Sequence, residues 1–328
     1  MFPKQKYEHM DIDNLKKAFI DNLQDETMVN NIRSCESLSD FMKCFWTAPE
    51  QYYAQMGERL ATTLKQFVNE DLLANYGILI NPWHVPDSML QEYVAIYTTP
   101  TKTIQNNDKI VNYFGNVKLD ISNGTGHLYD SKYPAEAHGT VFLEAYNHAR
   151  VNARQNSSVI LHDYALCDSW ESAFVCATDH SFVYSQSNNE LMLSGGALGI
   201  IAKAPVNATL FDNCQLMVLK AEDSGKRVHV NLSDNASIYL AKEAQACDLE
   251  LKHLYKGEIR NAKYLDLTDN HLGAIMYMQH PDLAYRVTPE IKQDLIEHLG
   301  GRMPDWIKVA DNARENTVEK APARGIGR

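Results

Sequence analysis

A chain of 328 residues, 45% hydrophobic and 22% charged, is long enough for two or three domains and has the composition of an ordinary globular protein. Its formal net charge is −11 and its Lys and Arg residues are scattered, which argues against nucleic acid as a partner because phosphate binding needs a basic stripe. No apolar run reaches the length of a membrane span, and the first residues lack the apolar stretch of a signal peptide. The expectation is a cytoplasmic protein with no membrane partner.

Residues 1–105 read as a mainly helical N-terminal domain. Asp13 to Leu23 carries Leu15, Ala18, Phe19 and Leu23 at helical spacing, and Ser37 to Phe45 predicts a second helix. Thr47-Ala-Pro-Glu50 has the form of a capping box with proline in the first turn, opening a helix through Tyr53, Met56 and Leu60 that Ala61 to Val68 continues. Gly77 to Ile80, ending at Asn81-Pro82, predicts a short buried strand, and Tyr93 to Thr98 a second one.

Residues 106–245 read as a β-solenoid. Val111 to Phe114 and Val117 to Ile121 are extended segments that lead through the Asn123-Gly-Thr-Gly126 turn into an eight-residue repeat, most regular over 141–201. One column of the repeat holds Val151, Val159, Cys167, Val175, Val183 and Leu191, and a second holds Ala153, Leu161, Ser169, Ala177, Ser185 and Leu193. A third holds Ala149, Ser157, Ala165, Ala173, Ser181, Asn189 and Ala197. A fourth, polar or glycine, holds Asn147, Gln155, Asp163, Glu171, Asp179, Ser187 and Gly195. The first three columns lie two residues apart, so they share one side of an extended strand, and the fourth marks a corner. Eight extended residues span only about 26 Å, so a block is a strand plus a corner. Small inward residues suit two sheets held close, which favours a coil of sixteen residues over a triangular one of twenty-four.

In the sixteen-residue register Leu166, Phe182 and Leu198 stack outside one sheet, and Ile160, Cys176 and Met192 outside the other. Such columns are either covered by the chain's own flanking regions or offered to a partner. Together with the outward aromatics Tyr146 and Trp170, the residues Leu166, Phe182 and Leu198 form the candidate interaction surface. Beyond Ile201 the period breaks, but Cys214, Leu216, Val218 and Ala236, Ile238, Leu240 keep its vocabulary around insertions such as Glu222 to Lys226. Residues 246–312 read as a mixed α/β region in which Thr288-Pro-Glu-Ile291 caps a helix that runs to His298 and stops at Gly300-Gly301. Residues 313–328 read as a disordered tail. The fold class expected is α+β: a central parallel β-solenoid (β-helix) between a mainly helical N-terminal domain and a small mixed C-terminal region.

The reactive residue types do not form a motif. His162-Asp163 and Asp179-His180 fall at corners, where a polar turn is the simpler reading than a catalytic dyad. Asp163, Glu171 and Asp179 recur in the corner column, but the glycine-rich calcium nonapeptide is absent, so solvated corners are favoured over a calcium or glycosidase site. Ser224-Gly-Lys226 lacks the rest of a phosphate loop. There is no HExxH, and His271, His280 and His298 have no metal-ligand spacing along the chain. The cysteines (Cys35, Cys44, Cys167, Cys176, Cys214, Cys247) show no CxxC pair, which suits reduced, buried thiols. Asn-x-Ser/Thr triplets, as at Asn123 and Asn156, read as turns rather than glycan acceptors. No catalytic, cofactor-binding or metal residue is assigned.

Val151-Asn-Ala153, Val159 to Ala165 and Val175-Cys-Ala177-Thr-Asp179 resemble the octapeptide repeats, V-x-A-x-[D/G]-x-A-x, of a loosely defined group of proteins from bacteriophages and gut bacteria. The resemblance implies a β-solenoid and a phage or mobile-element origin, with the virion as an alternative location, and it carries no activity or catalytic residue. This copy departs from the pattern where Asn189 takes a small-residue position and Leu193 replaces Ala. The leading expectation is a non-enzymatic scaffold or interaction protein with a protein partner. The alternative is a carbohydrate-active or acyl-transferring enzyme on a β-helix, in which case carbohydrate is the ligand class; a cleft with convergent His, Asp or Glu side chains favours it. The sequence leaves the oligomeric state open.

Overall fold

A computed structural model describes residues 12–309 except 106–107, 132, 187–188, 203–205, 220–226, 234, 243, 245–247, 254–261, 305–306 and 308. The chain divides into two compact units, Met1–Leu143 and Glu144–Arg328. Both contain coils of parallel strands, so the β-solenoid and the N-terminal helices expected from the sequence are present. Among the described residues no helix is long and apolar enough to cross a membrane.

The first unit opens with helices α1 (Ile12–Ile20), α2 (Glu26–Ser34), α3 (Leu38–Trp46), α4 (Pro49–Met56), α5 (Arg59–Phe67) and α6 (Glu70–Asn75). Polar side chains start three of them: Asp25, Ser37 and Asn69 accept from the backbone N–H groups of Met28, Asp40 and Leu72, which the first helical turn leaves unpaired. The expected capping box at Thr47 is corrected. Thr47 closes α3, its Oγ1 donating to the Cys44 carbonyl at 2.7 Å, while α4 starts at Ala48 without a side-chain cap and relies on Pro49, whose fixed φ suits a first turn. The apolar faces meet around Phe19, Phe41, Phe45 and Tyr52, with Phe19 and Phe41 edge to face at 4.8 Å.

The same core takes in Ile78, Val94, Ile96 and Phe114 from the strands that follow. These are β1 (Ile78–Ile80), β2 (Glu92–Gln105), β3 (Ile110–Ile121), β4 (Thr125–Tyr129) and β5 (Ala135–Ala137). Parallel stacking starts at β1, where Ile78 pairs with Val94, well before the expected boundary at residue 106. β2 and β3 pair over most of their length with a register shift between Tyr97 and Thr101. Gly115 sits there at φ +87, and a Cβ on it would lie 2.2 Å from the Tyr97 carbonyl oxygen, so no larger residue fits. Strand β6 (Phe142–Tyr146) spans the division between the units.

The second unit contains β7 (Arg150–Ala153), β8 (Ser158–Leu161), β9 (Leu166–Ser169), β10 (Phe174–Ala177), β11 (Phe182–Ser185), β12 (Asn189–Leu193), β13 (Leu198–Ile201), β14 (Val206–Leu210), β15 (Gln215–Val218), β16 (Arg227–Leu232), β17 (Ser237–Leu240), β18 (Asp248–His253) and β19 (Ala262–Tyr264). Every strand pairs in parallel with the next but one. Val159 faces Val175, and Leu166 faces Phe182, so a coil has two strands and sixteen residues. After Ile201 the coils lengthen by insertion, as in Val206 facing Val228, yet the stacking continues to β19.

The three small or apolar columns point into the coil. Val151, Val159, Val175, Ala149, Ala165, Ala173, Ala153 and Ala177 are buried, and Cys167 takes a Val position as a buried free thiol. Side chains this small let the two sheets approach closely enough to pack without voids. The fourth column supplies left-handed corners. Asn147, Gln155, Asp163, Glu171, Asp179 and Asp212 have φ between 55 and 58, and Gly195 has φ 63. That conformation costs an L-residue about 1–2 kcal/mol, least for Asn, Asp and Gly.

The acids of this column offset the cost through the coil above. The backbone N–H of Asn147 donates to Asp163 Oδ2 at 3.0 Å, that of Gln155 to Glu171 Oε2 at 3.0 Å, that of Asp163 to Asp179 Oδ2 at 3.2 Å, and that of Gly195 to Asp212 Oδ2 at 3.0 Å. Each charge-assisted bond caps a corner donor that the strand ladder does not reach.

Three further elements end the unit: α7 (Asp269–Met278), a 3-10 turn at Ala284–Arg286 and α8 (Pro289–His298). Thr268 caps α7 and Thr288 caps α8, which stops at Gly300 and Gly301 with φ 83 and 91, as the sequence reads. The fragment Ser224 to Lys226, Cys247 and the tail 313–328 lie outside the described residues.

Candidate functional site

The outward column of the second unit is the seat of α7. Leu166, Phe182 and Leu198 stack in register along β9, β11 and β13 and retain 8%, 4% and 6% exposure. The Phe182 ring lies 6.0 Å from both Tyr277 of α7 and His280 just beyond it. Gln279 Nε2 donates to Gln215 Oε1, on the strand that follows Leu198 in the stack, at 3.3 Å. The column is therefore covered by the chain itself. On the opposite sheet Ile160 and Cys176 are half-buried and Met192 is exposed.

The two outward aromatics are also engaged. Tyr146 donates its hydroxyl to Glu144 and stacks on His162 at 4.5 Å, while Trp170 lies under the Arg154 guanidinium at 5.0 Å.

Beside this column the corners carry a ladder of rings. His148, Tyr164 and His180, one per coil, stack at 5.5 Å intervals. His148 Nδ1 lies 2.5 Å from Oδ2 of Asp282, a carboxylate whose side chain is only 1% exposed. His280 is fully buried against the Tyr164 and Phe182 rings. Its Nδ1 accepts the Asp282 backbone N–H at 3.2 Å, which leaves the proton on Nε2. Burial pushes the His280 imidazole down to about 4; Asp282 and the Tyr164 backbone oppose that shift, and the His148 and Arg150 charges add to it. His162 and Asp163 do not act together: His162 Nδ1 lies 3.3 Å from Thr178 Oγ1, and Asp163 caps the corner of Asn147.

A second group lies where α7 faces α8. His271 Nε2 is 2.7 Å from Asp294 Oδ2, and His298 Nδ1 is 3.3 Å from Asp294 Oδ1. The two imidazole centroids are 4.4 Å apart. One ligand atom from each of His271, Asp294 and His298 fits within a 4.8 Å span. The group borders a cleft of about 550 Å³ whose wall includes Asn270, Tyr277, Arg286 and Ile291. Chain spacing gave His271 and His298 no relation, because a helix turn and a packed interface separate them. The legible part is the i,i+4 pair Asp294 and His298, which shares one face of α8. The thiols offer nothing comparable: burial pushes Cys35 up to about 11 and Cys214 up to about 12, so neither is a ready nucleophile.

Comparison of the chain with family models, curated proteins and solved structures finds no match in any of the three.

Proposed function

We propose that this chain is a non-enzymatic β-solenoid scaffold that engages a protein partner. The observation that carries the reading is the use made of the coil's recurrent chemistry. Asp163, Glu171, Asp179 and Asp212, the residues a calcium or glycosidase site would draw on, each cap a corner N–H of the coil before. A wall whose corner acids serve its own backbone is built for stiffness rather than turnover.

The outward column under α7 is occupied, so the partner surface belongs elsewhere. In the first unit, Trp83 and Met89 of the 81–91 loop are 73% and 97% exposed, and Leu90 of the same loop borders an apolar cleft of about 440 Å³ lined by Met42, Trp46 and Tyr76. An exposed Trp and Met on a loop that also lines an apolar recess suit an apolar segment of a protein far better than a sugar or an anion. A phage or mobile-element origin fits a structural part of this kind, and the octapeptide pattern supports it.

The test pairs two measurements on the purified full chain. Polysaccharides, aryl glycosides and acyl esters are expected to show no turnover. Photo-crosslinking from positions 83 and 89 is expected to capture one saturable protein partner that the double variant W83A/M89A loses. Turnover that disappears in D282N or D294N would overturn the scaffold reading in favour of a carbohydrate-active or acyl-transferring enzyme.

A further inference from the structure

We propose that His271, Asp294 and His298 bind a divalent transition-metal ion of the zinc class in the second unit. The geometry differs from a simple ion-pair tie. One carboxylate receives two imidazoles, Oδ2 from His271 at 2.7 Å and Oδ1 from His298 at 3.3 Å, while the two rings sit 4.4 Å apart. With no ion present, each ring reaches the carboxylate as an N–H donor. A single dication satisfies both nitrogen lone pairs and the carboxylate together.

The donor set and spacing fit that class of ion. Zinc bonds of about 2.0–2.1 Å in a tetrahedron place neighbouring donors about 3.3 Å apart; one donor atom from each residue lies within 4.8 Å of the others, so side-chain adjustment of about an ångström would close the set on an ion. Two imidazoles and a carboxylate suit zinc, iron or nickel, whereas calcium and magnesium take all-oxygen shells. Asp294 is held below the ordinary carboxylate range, chiefly by its hydrogen bond with His271, so it presents an ionised oxygen. Three protein ligands leave a fourth position, and the adjoining cleft with Tyr277 and Arg286 has room there for water or a small anion. His271 is buried, and its Nε2 faces Asp294 while Nδ1 makes no hydrogen bond among the described residues, so the ring is held toward the carboxylate. His298 Nδ1 also lies 2.9 Å from the Asp294 carbonyl oxygen. Coordination through this nitrogen needs its lone pair, so the N–H that faces the carbonyl would move to Nε2.

The inference stands apart from the scaffold reading, since the ion would tie α7 to α8 whatever the partner is. The experiment is a calorimetric titration of the full chain, stripped with a chelator and dialysed, with zinc chloride, repeated with cobalt(II) while following its visible absorption. One equivalent is expected to bind, more weakly at pH 5.5 than at pH 7.5. Asp294→Asn and His298→Gln, both at partly exposed positions, are expected to lose affinity about tenfold or more, the scale on which even outer-shell partners act. Their circular dichroism should stay native, and His84→Gln, in the first unit, should bind as the parent does. His271→Gln, at the buried ligand, is a second variant read for both binding and fold. The absence of zinc binding in the parent chain, or full binding in both Asp294→Asn and His298→Gln, would overturn the assignment.

Discussion

Two neighbouring parts of the second unit solve opposite problems. The coils from Arg150 to Ile201 repeat one solution every eight residues, a small inward row, an outward row and a left-handed corner, and at Gln155, Asp163 and Gly195 an acid of the next coil caps the corner. The region of α7 and α8 repeats nothing, and its acids have individual partners, as Asp282 between the helices has His148 and Asp294 on α8 has two histidines. Periodic residues serve the backbone, because every coil must satisfy the same donors and fill the same width. The convergent titratable groups occur where the period has ended and side chains of unrelated position meet.

The strongest way to break the comparison is to spoil one rung. Val175 is fully buried between Val159 and Leu191. Val175→Asp places an unpaired charge there and should cost more than about 4 kcal/mol, enough to unfold the second unit. Loss of β circular dichroism and rapid proteolysis beyond residue 144 are the expected readouts; a folded variant would mean the rows do not form a closed core. Next in size is Phe182→Ala, which removes the ring that α7 covers. A loss of about 3–5 kcal/mol is expected. Faster hydrogen exchange should appear in 268–280 and not in 158–177, because the coil core does not depend on its cover.

The coil was legible because its rows are redundant: one misplaced residue in the Val151 row would have broken agreement with five others. The acids at 163, 171 and 179 were legible as corners but not as caps, since the bond joins residues sixteen apart and needs the coil closed before it can be seen. α7 escaped because Leu272-Gly-Ala-Ile-Met-Tyr-Met278 is apolar on nearly every side and shows no amphipathic stripe; it is buried on nearly every side too. The start of stacking at Ile78 escaped because β2 and β3 carry large rings, Tyr93, Tyr97 and Tyr113, where the later rows carry Val and Ala. The pairing of His271 with His298 exists only after α7 and α8 have packed, so no spacing rule reaches it.

Acid should loosen the C-terminal cover before the coil. His280 titrates near 4 in the folded chain and near its ordinary 6.5 when unfolded. Between those values the unfolded chain binds a proton that the folded one refuses. The contribution is therefore intact above pH 6.5 and drains away as pH falls toward 4, by about 1.4 kcal/mol per unit. Urea unfolding of the full chain at pH 7, 6 and 5 is expected to show that slope, and His280→Phe, which keeps a ring against Tyr164 and Phe182, should flatten it. An unchanged slope in His280→Phe would place the acid sensitivity elsewhere.

The smallest effect is the most discriminating, because it separates the two services a corner residue performs. Asp179 holds a left-handed φ of 57 and also accepts the Asp163 backbone N–H at 3.2 Å. Asp179→Gly keeps the conformation and loses the acceptor; Asp179→Asn keeps both at lower charge; Asp179→Ala loses both. The costs should rank Ala above Gly above Asn, with Ala at about 1–2 kcal/mol, since the corner is exposed and water replaces part of the bond. A calcium titration of the same set is expected to show no difference in binding between parent and variants. If Asp179→Ala and Asp179→Gly proved equal, strain would drop out and the acceptor alone would explain the acid. If they equalled the parent, the corner carboxylates would be free of structural duty, and the contrast between a coil that serves its own backbone and helices that gather reactive groups would lose its basis.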